Sequence, residues 1–202
     1  MAEKFLDKVY ETQGEDATRD LYDAWSGSYD DEVTEHGYRT PRRLALAMAQ
    51  HADTSAPILD YGCGTGLSGA SLYGAGFTQI DGADPSQGML DQARARAFYR
   101  DLIALDLSKP LPFPPAQYSA IAAVGVISTG AGPASLMQTL IELLPSGGHL
   151  GFSLNDHALE DPDYPAGVAA LKAAGHIEKV AEYGEHLPGL NLKSMIYVFE
   201  KA

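Results

Sequence analysis

Short apolar runs alternate with longer helical stretches through the middle of this chain. The apolar runs lie at 58–61, 79–83, 102–105, 118–127 and 149–154, and their length is typical of buried strands. The stretches at 68–75, 86–98 and 133–144, which follow strands, are predicted to be helices. Such alternation predicts βαβ units and a parallel sheet.

The two ends of the chain follow different patterns. Residues 18–52 are helical in pattern, with Leu21, Trp25 and Tyr29 spaced by fours and a polar break at positions 30 and 31. Near the C-terminus a helix is predicted at 166–174, and the alternating segments 177–183 and Leu192–Glu200 can pair as an antiparallel edge. We therefore expect one α/β domain with a Rossmann-like, doubly wound, seven-stranded sheet, mostly parallel with an antiparallel C-terminal edge.

Composition narrows the possible partners and location. The chain of 202 residues has 27 acidic and 14 basic residues, a net charge of −13 that repels a phosphate backbone. We therefore expect no nucleic acid partner. The single cysteine, the absence of a signal-peptide core and an apolar run of only 120–127 predict a cytoplasmic protein with no membrane anchor. The six histidines are scattered, which predicts no metal site.

The densest chemical signal is the segment ILDYGCGTGLSGASL at 58–72. Its strand ends near Asp60 and leads into glycines at 62, 64 and 66, which let backbone approach a ligand closely. Open α/β sheets bind ligands beyond the carboxyl ends of their strands, so a cofactor is expected here.

Two cofactor classes fit this glycine pattern. Gly64, Gly66 and Gly69 satisfy the dinucleotide fingerprint, and Asp84 lies where its ribose-binding acid is expected, so a nicotinamide-dependent dehydrogenase stays open. Asp60 weighs against it, because a carboxylate repels a pyrophosphate but stabilises an ammonium or a sulfonium.

The segment DYGCGTG at 60–66 resembles the first motif of class I S-adenosylmethionine-dependent methyltransferases. The segments GADPSQGML at 82–90 and LLPSGGHLGFS at 143–153 resemble later motifs of that family. The segment DLYDAWSGSYDDEV at 20–33 is similar to a lid helix, and is most similar to that of the methyltransferase-like branch named after the Williams-Beuren deletion region. The resemblance spans residues 20–200 and implies S-adenosylmethionine as cofactor.

The resemblance also implies a set of site residues and a division of the chain. Asp84 would bind both ribose hydroxyls, and three aromatic residues of the lid would close over the methionine half. The cofactor-binding set is Tyr22, Trp25, Tyr29, Asp60, Gly62, Cys63, Gly64, Gly66, Asp84, Pro85, Ser86, Met89, Asp106, Leu107, Val124 and Gly125. A single domain at 1–202 would comprise an N-terminal helical lid at 1–50 and a cofactor-binding core at 56–202.

The sequence leaves the acceptor and the chemistry open. Methyl transfer to a small-molecule acceptor is expected, and the alternatives are a non-catalytic nucleoside-binding module, a dehydrogenase or an aminopropyltransferase. No catalytic residue is assigned, because a sulfonium methyl is already activated. Asp156 and His157 follow the fifth strand, where acceptors bind in the family, but they are interpreted as a solvated loop pair. No oligomeric state is assigned.

Overall fold

The computed structural model describes residues 15–202, and a sheet of seven strands forms their centre. The strands are β1 Ile58–Tyr61, β2 Ile80–Asp84, β3 Tyr99–Ala104, β4 Ala120–Ala123, β5 His149–Asn155, β6 Ile177–Leu187 and β7 Leu192–Glu200. Their order is β3-β2-β1-β4-β5-β7-β6; the first five are parallel, and β7 is antiparallel to both β5 and β6. The predicted fold class is confirmed.

Helices cover both faces of the sheet and its carboxyl edge. They are α1 Glu15–Trp25, α2 Tyr29–Glu35, α3 Thr40–Ala49, α4 Leu67–Gly74, α5 Gln87–Arg94, α6 Leu136–Leu143, α7 Asp156–Glu160 and α8 Asp163–Ala173. Neighbouring strand residues point to opposite faces. Leu59 therefore packs in the core beneath α6 and α8, whereas Ile58 packs in the core beneath α3 and α4.

Three predicted ends of helices and strands differ from those in the structure. Strand β4 ends at 123 rather than 127, because the chain turns at Gly125, whose φ is +70°. Helix α5 ends at Arg94 and β3 begins at Tyr99, so the turn between them lies inside the helix predicted at 86–98. Strand β6 continues to Leu187, past the predicted end at 183. Hydrophobic pattern identifies these elements, but backbone turns and strand pairing determine their ends.

The loop pair predicted after β5 is wrong. Residues 156–160 form helix α7, which is capped by Asn155 through its contact with the amide of Ala158 at 2.9 Å. The Asp156 carboxylate accepts hydrogen bonds from the Tyr183 hydroxyl at 2.7 Å and the Lys193 amide at 2.8 Å. Asp156 is thus attached to both C-terminal strands.

The N-terminal helices lie over the carboxyl edge of the sheet. Helix α1 contacts α5, and Trp25 forms a small core with Val33 and Leu187. The predicted lid at 1–50 also includes α3, whose Leu44 and Met48 are fully buried against the sheet. The division into a lid and a core remains a prediction, and its first 14 positions lie outside the described residues.

Candidate functional site

The loop between β1 and α4 is held in a conformation that needs glycine. Gly62, Gly64 and Gly66 have φ values of +69°, +53° and +93°, a region that side chains disfavour. The amides of Gly62 and Cys63 both donate to the Ala83 carbonyl, at 2.7 and 3.1 Å, which ties the loop to β2. A Cβ on Gly64 would meet no atom within 4 Å, so this residue borders open space.

Asp84, at the end of β2, lies beside this loop. Its Oδ2 accepts a hydrogen bond from the Gly64 amide and its Oδ1 accepts one from the Ser86 amide, both at 2.9 Å. The carboxylate is 8% exposed, and burial raises its pKa to about 6. Each oxygen can accept a second hydrogen bond. Backbone amides therefore hold the Asp84 carboxylate in place, and both of its oxygens can still accept a hydrogen bond from a ligand.

Asp60, on β1, is the second buried carboxylate of the site. Its Oδ2 accepts hydrogen bonds from the hydroxyls of Ser68 and Tyr99, both at 2.7 Å. Its Oδ1 is buried and has no hydrogen-bond partner. Burial raises the pKa of Asp60 to about 6, although both hydroxyls act to lower it. A buried carboxylate oxygen without a partner is a strong acceptor for a cation.

The three predicted lid aromatics form one cluster. The ring centroids of Tyr22 and Trp25 are 5.8 Å apart, and those of Trp25 and Tyr29 are 4.7 Å apart. Trp25 is 1% exposed and points into the small core. Desolvation raises the pKa of Tyr29 well above its usual value, and Tyr38 adds to that effect. Of the three, only Tyr29 lines the cavity beside the glycine loop.

Two acidic residues of the N-terminal helices attach these helices to the site. On α1, the Asp23 carboxylate accepts hydrogen bonds from the Ser86 hydroxyl and from the Gly88 amide, the latter at 3.0 Å. On α2, the Asp30 carboxylate accepts one from the Thr65 hydroxyl at 2.5 Å and forms an ion pair with Arg96. We call Asp23 and Asp30 the latch residues.

The helices leave little space above the glycine loop. A cavity of about 30 Å³ is lined by residues of the loop, α2, α3 and β4: Tyr29, Tyr38, Pro41, Gly62, Cys63, Gly64, Thr65, Leu67, Ser68 and Val124. Ligand sites for molecules of cofactor size are roughly 300 Å³ or more. In this conformation the cavity beside the glycine loop is therefore too small for a nucleoside.

The structure does not bring all predicted site residues to this cavity. Met89 is 1% exposed within α5. Asp106 and Leu107 follow β3 and face solvent, and Lys109 and Ser108 lower the pKa of Asp106 to about 2. Of the predicted residues, those that line the cavity are Tyr29, Gly62, Cys63, Gly64 and Val124, and those beside Asp84 are Gly64, Pro85 and Ser86. Asp60, Gly66 and Gly125 are not among the lining residues, although each is close in sequence to one of them.

Sequence reasoning missed several residues of the site. Tyr99 reaches Asp60 from β3, two strands away in the sheet, and no local pattern signals this contact. Tyr38 lines the cavity from the connection between α2 and α3. Ser68 lies in the first turn of α4, eight positions after Asp60. Of these residues, it alone is close enough in sequence to the glycine motif for local spacing to have identified it.

Within 15–202, no group of three or more histidine, cysteine, aspartate or glutamate side chains is arranged to hold a metal ion. No helix among these residues is long and apolar enough to cross a bilayer.

Parts of the chain are similar to known methyltransferases. Residues 58–148 match the family model described as a methyltransferase domain. The chain is 39% identical to human Methyltransferase-like protein 27 over 131 residues, 63% of this chain and 54% of that protein. It is also 37% identical to the bovine 18S rRNA (guanine-N(7))-methyltransferase over 88 residues, 44% of this chain and 31% of that protein. The matched part of the chain thus spans about half the length of the human relative and about a third of the length of the bovine one.

A solved structure shares the fold. The S-adenosylmethionine-dependent methyltransferase from Thiobacillus denitrificans, in complex with S-adenosyl-L-homocysteine, superposes with a TM-score of 0.58. It is 14% identical, and the match covers 82% of this chain and 92% of the other.

The expectation that acidity excludes a nucleic acid partner is wrong. The bovine relative is by its name an rRNA methyltransferase, so this group of related sequences includes a protein that acts on RNA. A net charge of −13 is a sum over the chain and does not describe the charge at the surface that meets an acceptor.

Proposed function

We propose that this chain transfers a methyl group from S-adenosylmethionine to an acceptor. The match of residues 58–148 to a methyltransferase domain and the strand order of the sheet support this proposal. The observation that carries the proposal is the pair of buried carboxylates, Asp60 and Asp84, on either side of a glycine loop.

The residues present fit this cofactor. The unpartnered Oδ1 of Asp60 supplies a negative charge for the ammonium or sulfonium. Asp84 keeps one free acceptor site on each oxygen, which suits two adjacent ribose hydroxyls. The space beside Gly64, which a Cβ would occupy, allows the ligand to approach the backbone. A dinucleotide pyrophosphate at the glycine loop would instead meet the negative charge of Asp60.

The protein contributes binding, orientation and exclusion of water. The cofactor, when bound, supplies an activated methyl group on its sulfonium. Asp84 and the amides of Gly64 and Ser86 fix one end of the site, and Asp60 with Ser68 and Tyr99 fixes the other. The N-terminal helices close over both ends through the latch residues, which excludes water from the reacting groups. Alignment of this kind can lower a barrier by ~7 to 11 kcal/mol.

One of the relatives also suggests a class of methyl acceptor. The bovine relative makes RNA an acceptor class to be tested for this chain. The cytoplasmic location remains a prediction, supported by a single cysteine that is buried.

The first prediction tests the cofactor. S-adenosylhomocysteine should raise the melting temperature of the full chain, and NAD and NADP should not, because a ligand bound only by the folded state stabilises it by mass action. At 100 times the dissociation constant the gain is about 2.7 kcal/mol. The measurement is a thermal melt with each ligand.

Each alternative has its own signature. A melt that responds to NAD and ignores S-adenosylhomocysteine would replace the methyltransferase with a dehydrogenase. A melt that responds to S-adenosylhomocysteine, in a protein that methylates neither RNA nor extracted metabolites, would favour the nucleoside-binding module.

A further inference from the structure

A buried polar network lies next to the cavity on the side of the antiparallel strands. It joins Thr40, at the start of α3, to His186 on β6 and Ser194 on β7, and its three members are at most 6% exposed. The Thr40 hydroxyl lies 2.8 Å from His186 Nδ1 and 2.9 Å from the Ser194 hydroxyl. Arg43 donates to the Ser194 hydroxyl at 3.1 Å.

The direction of one of these hydrogen bonds is set by its donor. The Arg43 guanidinium can only donate, so the Ser194 oxygen accepts from it. The Thr40 hydroxyl lies within hydrogen-bond distance of both the Ser194 hydroxyl and His186 Nδ1. Burial lowers the pKa of His186 to about 4, so the ring is neutral at physiological pH. The network therefore holds the ring through its Nδ1 atom.

The His186 ring is in contact with a residue that lines the cavity. The rings of His186 and Tyr38 meet edge to face, with centroids 5.2 Å apart. Tyr38 lines the cavity together with Gly64 and Val124. A Cβ on Gly125 would lie 2.9 Å from the Tyr38 hydroxyl oxygen, so that hydroxyl is directly above the Gly125 backbone.

The Tyr38 hydroxyl lies away from Asp84, the carboxylate assigned to the ribose. Asp84 ends β2, whereas Gly125 follows β4, two strands further along the sheet, or about 10 Å. The Gly125 amide donates to the Ser153 hydroxyl at 2.9 Å, which holds the turn beneath Tyr38 in place. The Tyr38 oxygen therefore lies on the far side of β1 from the ribose-binding carboxylate.

We propose that Tyr38 is a residue of the reaction centre, with its hydroxyl oxygen against the sulfonium methyl group, and that His186 is a positioning residue that holds the Tyr38 ring. The proposal rests on the proposed function. A methyl group on a sulfonium has polarised C–H bonds, and an oxygen can accept weak hydrogen bonds from them. The role of His186 follows from its ring contact with Tyr38 and from the Thr40 hydroxyl at its Nδ1, and Ser194 and Arg43 in turn hold Thr40 in place.

The test places cofactor labelled with ¹³C at the methyl group on the full chain and records the ¹H–¹³C correlation of the bound methyl. An oxygen contact should move the bound methyl proton signal downfield of that of free cofactor. Tyr38→Phe, which removes only the hydroxyl, should move the signal back toward the free position with the affinity for S-adenosylhomocysteine retained. Tyr73→Phe, at a residue on α4 that is 60% exposed, is the matched control and should leave the signal unchanged.

The result for Tyr38→Phe distinguishes a failure of this inference from a failure of the proposed methyltransferase function. If the wild type binds the cofactor and Tyr38→Phe leaves the methyl signal in place, this inference is overturned and the methyltransferase proposal stands. If the wild type shows neither a bound methyl signal nor a melt shift, both are overturned.

A second pair of variants tests His186. Thr40→Val removes the hydroxyl that holds Nδ1 and should move the methyl signal in the same direction as Tyr38→Phe, whereas Thr40→Ser keeps the hydroxyl and should restore the wild-type position. His186→Asn, which removes the ring from Tyr38, gives the same readout if Thr40→Val does not fold. A wild-type methyl signal in either folded variant would overturn the positioning role.

Discussion

At the scale of single residues, the site depends on carboxylates whose two oxygens have different surroundings. Both oxygens of Asp84 accept backbone amides, so this side chain also fastens the glycine loop to the start of α5. Asp60 uses one oxygen for Ser68 and Tyr99 and keeps the other free of partners. The first arrangement suits hydroxyl groups, and the second suits a cation.

The prediction at this scale concerns Asp84→Ala. The variant should bind S-adenosylhomocysteine more weakly by roughly 2 to 4 kcal/mol, because two charge-assisted hydrogen bonds to ribose are removed. Calorimetry measures the affinity, and circular dichroism checks the fold. Asp91→Ala, at an exposed position of α5, is the control. Unchanged affinity in a folded Asp84→Ala variant would remove Asp84 from the site.

At the scale of elements, α1 and α2 lie over the site, and one carboxylate on each helix attaches it to the residues beneath. Asp23 holds α1 to the start of α5, and Asp30 holds α2 to the glycine loop and to Arg96. The cavity beneath is about 30 Å³, too small for a nucleoside, so we expect α2, which lines it through Tyr29, to move when the cofactor binds. Local opening of this kind is expected where few apolar contacts hold an element.

The lid prediction can be followed with Trp25, the single tryptophan of the chain. S-adenosylhomocysteine should shift its emission and change amide exchange across 20–35, because its binding must move the helices that carry these residues. Without ligand, Asp23→Ala combined with Asp30→Ala should speed that exchange, and Asp31→Ala, at an exposed neighbour, should not. Unaltered emission and exchange at saturating ligand would instead mean a fixed core helix.

At the scale of the whole molecule, the site lowers the stability of the fold that carries it. Burial raises the pKa of Asp60 to about 6, above the value of about 4 in an unfolded chain. Such a group stabilises the fold below about pH 4, and this contribution is lost as the pH rises through about 6. A buried charge is therefore retained at neutral pH at the expense of stability.

The prediction at this scale is that Asp60→Asn stabilises the protein without cofactor at pH 7.5. Its amide oxygen can still accept from Ser68 and Tyr99, and its NH2 replaces the unpartnered oxygen. The gain in unfolding free energy should be roughly 3 kcal/mol at most at pH 7.5, and should vanish near pH 4. Denaturant unfolding at both values measures it. S-adenosylmethionine should bind the variant more weakly, and equal binding would contradict the assignment of a cation to Asp60.

The sequence by itself determined the class of fold and the position of a glycine loop at the carboxyl edge of the sheet. Alternation of short apolar runs with helices predicts the parallel sheet, and the glycines that follow Asp60 predict the loop at its edge. Asp84, at the end of the next strand, was named from its distance to the glycine motif and from the family resemblance, and its role in binding ribose stays a prediction. These signals are local, because hydrophobic periodicity and the dihedral freedom of glycine act within one segment of the chain.

Only the tertiary structure decided which distant side chains complete the site. Tyr99 reaches Asp60 across 39 positions, Asp23 reaches Ser86 across 63, and Thr40 reaches His186 across 146. Strand order brings these residues together, and neither spacing nor composition encodes that order. The prediction from net charge failed for a related reason, because a sum over residues holds no information about where each charge lies.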